Sequence, residues 1–106
     1  MNLVRYGANV NGISSEGRTP LMFAASGPFA NIVELLLNEG AEVNLRTLWK
    51  AGALTFAAAE GNLNVVEILL RYEADISFVD DDENTALNVA KNNNLQEVVK
   101  LLQEQI

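Results

Sequence analysis

The chain has 106 residues, 49% hydrophobic and 20% charged, which suits one compact core and is too few for two. Fourteen acidic against seven basic side chains give a net charge of −7, so the field of the whole molecule opposes phosphate and argues against nucleic acid. The absence of cysteine and histidine excludes disulfides, thiol nucleophiles, imidazole-dependent triads and Cys/His zinc sites; apolar runs far too short for a membrane span and an opening without a secretory signal make a cytoplasmic location the expectation.

In chain order, Leu3, Val4 and Tyr6 read as the last turns of a helix that ends at Gly7, where a left-handed residue fits a helix C-terminus. Ala8 to Asn11 is extended, and Ser14-Ser15-Glu16-Gly17 is a turn. Thr19-Pro20 then supplies an N-cap hydroxyl and a first-turn proline to a short helix whose Leu21, Ala24 and Ala25 form a small-residue stripe. Pro28 fixes φ at roughly −65° where a turn residue of positive φ is wanted, so Gly27 is expected to take up that turn. A second helix carries Ile32, Val33, Leu35 and Leu36 on one face and ends at Gly40.

From there the pattern recurs at one fixed interval, that from Gly7 to Gly40 and again from Gly40 to Glu73. Gly7-Ala8-Asn9-Val10-Asn11 returns as Gly40-Ala41-Glu42-Val43-Asn44 and as Glu73-Ala74-Asp75-Ile76-Ser77. Thr19 to Ala25 falls on Gly52 to Ala58 and on Thr85 to Lys91, while Asn31 to Leu37 falls on Asn64 to Leu70 and on Glu97 to Gln103. A single helix pair cannot bury its apolar face, so the units must stack with neighbour-only contacts.

These residues resemble the ankyrin repeat family over essentially the whole chain, with Gly17-Arg18-Thr19-Pro20-Leu21 and Gly40-Ala41-Glu42-Val43-Asn44 as the most specific stretches. The resemblance implies an all-α solenoid of stacked helix-turn-helix repeats with short β-hairpin loops, divided as a partial repeat over 1–11, repeats over 12–44 and 45–77, and a C-terminal capping repeat over 78–106. It also implies a non-catalytic module that binds a protein through the concave face made of hairpin tips and inner helices. Carried over position by position, that face is Ser15, Glu16 and Arg18, then Arg46, Leu48, Trp49 and Ala51, then Asp81, Asp82 and Asn84. The inner-helix ends add Ser26, Ala59, Glu60, Asn92 and Asn93. An apolar centre flanked by acid suits a partner with a basic rim.

The second unit departs most from this pattern. Thr47-Leu48-Trp49-Lys50-Ala51-Gly52-Ala53 loses the turn glycine, the capping threonine and the proline of Ser14 to Pro20. It places Leu48 and the lone tryptophan, Trp49, at a tip where polar turn formers are preferred. Trp49 is then either a contact, with Leu48 beside it, or a side chain folded back to replace the lost turn. Glu73 stands where a helix-ending glycine is expected, at a cost of roughly 1 kcal/mol for a left-handed backbone, so a looser or different closure is expected there. The incomplete start leaves three readings: a fragment of a longer array, a frayed end, or assembly through Leu3, Val4, Tyr6, Phe23 and Phe29.

Other chemistry is poorly supported. An EF-hand begun at Asp80 fails at Thr85 and Lys91, which replace the sixth-position glycine and the twelfth-position glutamate. Asp80 is instead expected to serve the hairpin and Asp81 and Asp82 to be solvated or to meet a basic partner; no metal or cofactor is expected. Glu60, Asp81, Asp82 and Glu83 lie where carboxylates stay wet, against acid catalysis. The evenly spaced Gly7, Gly12 and Gly17 follow turns and do not form a phosphate loop, and Arg46 and Lys50 beside Trp49 are too few for a nucleic-acid stripe. Asn11 and Asn44 hold positions that are hydroxylated in some ankyrin repeats, a loop hydrogen bond being the simpler role.

Overall fold

The computed structural model describes residues 14–105. Leu3, Val4, Tyr6, Gly7 and Asn11, and with them the partial first repeat, lie outside the described residues. The remainder forms α1 (Pro20–Ala25), α2 (Ala30–Asn38), α3 (Ala53–Glu60), α4 (Leu63–Arg71), α5 (Ala86–Asn92) and α6 (Gln96–Gln103). Each odd helix packs on the even helix that follows it, and the two sets pack as rows, α1 on α3 on α5 and α2 on α4 on α6. The fold is an all-α solenoid. Of the expected β-hairpin character, the described residues hold one antiparallel bridge, Arg46 with Gly52.

The core follows from the period. Ala25, Ala57, Ala58 and Ala90 in the odd row are fully buried, and their small side chains let neighbouring helices close up. In the even row Val33 and Leu36, Val65, Val66 and Leu69, then Val98 and Leu102 fill the space between units. At about 1.5–3 kcal/mol for each fully buried aliphatic side chain, this burial is the main stabilising term.

Helix ends repeat as faithfully as the core. After α2, Ala41 N–H bonds Leu36 C=O at 2.9 Å and Gly40 N–H bonds Leu37 C=O at 3.1 Å, with Gly40 at φ 97°. After α4, Ala74 N–H bonds Leu69 C=O and Glu73 N–H bonds Leu70 C=O, both at 3.0 Å, with Glu73 at φ 66°. The two ends share one Schellman closure. The expectation of a looser junction at Glu73 is therefore corrected: the stacked units hold the residue left-handed despite its Cβ.

The odd helices end the same way twice. Gly61 and Asn94, at φ 72° and 58°, close α3 and α5. After α1 the equivalent residue is Pro28, which has no N–H to give. Phe29 N–H bonds Gly27 C=O at 2.9 Å across the proline instead. Gly27 stays outside the left-handed region, so the expectation that it supplies the positive φ is also corrected. Asn62 Nδ2 donates to the carbonyls of Gly27 at 3.0 Å and Ala25 at 3.3 Å, satisfying the end that proline leaves open.

Candidate functional site

Three tips project between the units, and one device builds all of them. Ser14, Thr47 and Asp80, each one repeat length from the next, accept two backbone N–H groups on a side-chain oxygen, from the second and fourth residues beyond. Each also exchanges backbone bonds with its own turn: Thr47 N–H to Ala51 C=O and Lys50 N–H to Thr47 C=O, both 2.8 Å, in the second tip. The residue that must turn left-handed is Gly17 in the first tip, Lys50 in the second and Glu83 in the third, at φ 82°, 66° and 64°. The expected structural role of Asp80 is thus met by its Oδ1, which takes the N–H groups of Asp82 and Asn84 at 2.9 Å each. Ser14 and Thr47 do the same work, and the recurrence of an oxygen-bearing side chain at the repeat interval is the signal by which they could have been found.

The tips are also joined to one another. Leu48 N–H donates to Glu16 C=O at 3.1 Å, and Asp81 N–H donates to Trp49 C=O at 3.0 Å. Helix starts are capped just behind them. Thr19 accepts from Met22 N–H at 3.2 Å while Met22 Sδ takes the Thr19 N–H, and Thr85 and Asn88 repeat the exchange. At α3 the cap is Gly52, which offers no side chain, and only Thr55 Oγ1 answers, at 3.3 Å from Gly52 N.

A long-range arrangement replaces what the second tip lacks. A Cβ on Gly52 would stand 3.3 Å from the ring of Phe78, so the glycine leaves room for that ring. Arg46 lies over Phe78, 4.5 Å from guanidinium carbon to ring centroid. Its Nε donates to Lys50 C=O at 2.9 Å and its Nη2 to Val79 C=O, which ties the second tip to the third unit.

The site residues expected from the sequence separate accordingly. Leu48 is 67% exposed and Trp49 51% exposed, the most apolar surface on any described tip. Ser15, Glu16, Asp81 and Asp82 are exposed and Asn84 is half-buried. Ala51 is buried, because its carbonyl and N–H close the turn on Thr47, and it is withdrawn from the surface. Arg46 is exposed, with its guanidinium held by the two carbonyls over the Phe78 ring. Arg18 lies between two rings of the odd helices, 5.5 Å from the centroid of Phe23 and 4.8 Å from that of Phe56. Its Nε is 3.8 Å from the Glu16 carboxylate, beyond hydrogen-bond length, and buried without an acceptor among the described residues.

At the helix ends, Ser26 Oγ donates to Met22 C=O and Asn93 Nδ2 to Ala59 C=O, while Glu60 and Asn92 are exposed. Asn44 bridges units, receiving Asp75 N–H at 2.8 Å and donating to Glu73 C=O at 3.3 Å. Asp75 has its carboxyl held below the usual value, first by the Ser77 hydroxyl and then by the Ser77 N–H. Phe78, Asn62 and Tyr72, whose hydroxyl donates to Asn38 Oδ1 one unit back, were not foreseen. Among the described residues no group of three or more acidic side chains is placed to hold a metal ion, and no helix is long and apolar enough to cross a membrane.

Over 44 residues, 42% of this chain, the sequence is 48% identical to the human transient receptor potential cation channel subfamily A member 1, of which that stretch is 4%. The chain therefore spans a small part of the length of this relative. The pattern of ankyrin repeats in three copies matches residues 1–47 and 31–106. With a match along the whole chain and three helix pairs in one register, the protein belongs to the ankyrin repeat family, whose members are generally protein–protein interaction modules.

Proposed function

We propose that this domain binds a protein partner through the face that carries the three tips and the odd helices, without catalysis. The observation that carries the reading is the exposed pair Leu48 and Trp49 on a tip whose backbone is bonded on both sides. Packing explains Gly52 through Phe78 and explains Arg46 through two carbonyls, whereas Leu48 and Trp49 keep more than half their surface in water. A rigid apolar pair of this kind is a favourable anchor, since little side-chain or loop entropy is lost when it is covered. Ser15, Glu16, Arg18, Glu60, Asp81, Asp82 and Asn84 complete the proposed face.

Trp49→Ala is expected to weaken partner binding at least tenfold, about 1.4 kcal/mol, with the helical circular dichroism unchanged. A folded variant of unaltered affinity overturns the reading. A second reading, self-association, is favoured by the half-exposed rings of Phe23 and Phe29. It predicts a molecular mass by light scattering that rises across a hundredfold concentration range and falls back on Phe29→Ser.

A further inference from the structure

The tips place charge and apolar surface in a definite order. Going along the stack, the first tip presents Glu16, the second Leu48, Trp49 and Lys50, and the third Asp81, Asp82 and Glu83, all exposed. Of the positive groups near this row, Arg46 and Lys50 are exposed at the second tip and Arg18 is half-buried at the first. Arg46 bonds two backbone carbonyls, and Arg18 lies between Phe23 and Phe56 with Glu16 opposite its Nε. Glu16 is thereby partly offset, while no described salt bridge reaches the three acids of the third tip.

Spacing follows from the hydrogen bonds. Each tip is two backbone strands wide, as the bonds between Thr47 and Ala51 show, and each touches the next through a backbone bond near strand-to-strand distance. Two strand spacings make about 10 Å per tip, and an extended chain advances about 3.3 Å per residue. A segment lying along the row thus passes about three residues per tip. Lys50 on the central tip repels a basic residue placed directly beside the anchor, which moves the favourable position for such a residue onto the third tip.

From this order we propose that the ligand is an extended protein segment with a large apolar residue seated on Leu48 and Trp49 and a lysine or arginine three positions away over Asp81, Asp82 and Glu83. The inference rests on the tip-face reading above and adds the chemistry and spacing of the partner. Opposite charge speeds and orients the encounter, and the apolar anchor supplies most of the affinity.

The test is selection of a random dodecapeptide display library on the intact chain, followed by fluorescence anisotropy of the enriched peptides against three proteins. These are the parent chain, Trp49→Ala, and the triple variant Asp81→Asn, Asp82→Asn, Glu83→Gln. The triple variant keeps the backbone bonds of its tip, and circular dichroism checks its fold. Enrichment of an apolar residue with Lys or Arg three positions away, affinity at least fivefold weaker in the triple variant, and weakening between low and physiological salt support the proposal. Peptides that depend on Trp49 but bind the triple variant equally well overturn it and leave the tip-face reading standing. Peptides indifferent to Trp49→Ala, or a library that yields no binder, overturn both.

Discussion

The first and second tips reach the same backbone by different means. In the first, nearly every term is local: Ser14 seats the turn, Gly17 makes it left-handed, Thr19 caps α1 and Pro20 starts it. In the second, Thr47 still seats the turn, but Lys50 is held left-handed with a Cβ, Gly52 caps nothing with a side chain, and the deficit is met across the junction, where Arg46 of this unit lies over Phe78 of the next. The difference shows that a solenoid can move stabilisation from within a repeat to the junction between repeats. It also frees tip positions from turn duty, and Leu48 and Trp49 occupy two of them.

Gly17→Ala is the strongest way to break the first tip. At φ 82° any side chain is strained, and a Cβ there would stand 3.2 Å from Leu48 N and from Thr47 Cα, backbone atoms that cannot swing aside. A loss of about 2 kcal/mol is expected from denaturant unfolding. A loss below about 0.5 kcal/mol, the range of an ordinary surface substitution, would show that the two tips are not held as closely as these distances require.

Next in size is Gly52→Thr, which copies the Thr19 cap into the second unit. Taken locally it should gain a few tenths of a kcal/mol. Against Phe78 at 3.3 Å and Leu45 C=O at 3.4 Å it overpacks, and a net loss of about 1 kcal/mol is expected. Adding Phe78→Leu, which restores the residue that Leu45 represents one unit earlier, should recover most of that loss, giving a coupling of about 1 kcal/mol in a double-mutant cycle. If Gly52→Thr alone stabilises the chain, the exchange between cap and ring is wrong.

The repeat, the six helices and the tip positions were legible because they rest on period, and a period survives many substitutions. What was not legible rests on contacts between units. Nothing local in Thr47 to Ala53 announces that Gly52 accommodates a ring from the next unit, or that Arg46 reaches the Val79 carbonyl. Ala51 was misplaced for the same reason, since its position in the motif is right and its burial depends on how its tip closes on Thr47. Leu48 and Trp49 were singled out by a rule of composition, that a tip prefers polar turn formers. Their exposure is what packing then left in place.

Relieving the strain that stacking imposes should have a smaller effect, with the opposite sign. Lys50→Gly and Glu73→Gly each remove a Cβ from a left-handed backbone, at φ 66° in both cases. Each should stabilise by about 0.5–1 kcal/mol, and the gains should add if the two turns act independently. Glu73→Gly is the cleaner of the pair, because Glu73 is exposed and the equivalent residue one unit earlier is already glycine, Gly40. Equal stability in the double variant would mean that the flexibility glycine adds to the unfolded chain cancels the relief.

The smallest effect concerns the loops that lead into the tips, where Asn44 and Ser77 hold equivalent positions. Asn44 reaches into the next unit, while Ser77 turns back on Asp75, its hydroxyl and N–H both donating to Oδ1. The Asp75 carboxyl is depressed mainly by that hydroxyl, with a smaller contribution from Arg46. A carboxyl lowered in the folded state adds stability that is present above its unfolded pKa and is lost as pH falls through the folded value, so the window is the acidic range just below the usual carboxylate value. In a titration followed by the carboxyl carbon resonance, Ser77→Ala should move Asp75 up toward the usual value, and Arg46→Gln should move it up by less. An equal or larger shift from Arg46→Gln would mean that the charge tying the second tip to the third unit, more than the local hydroxyl, sets this loop.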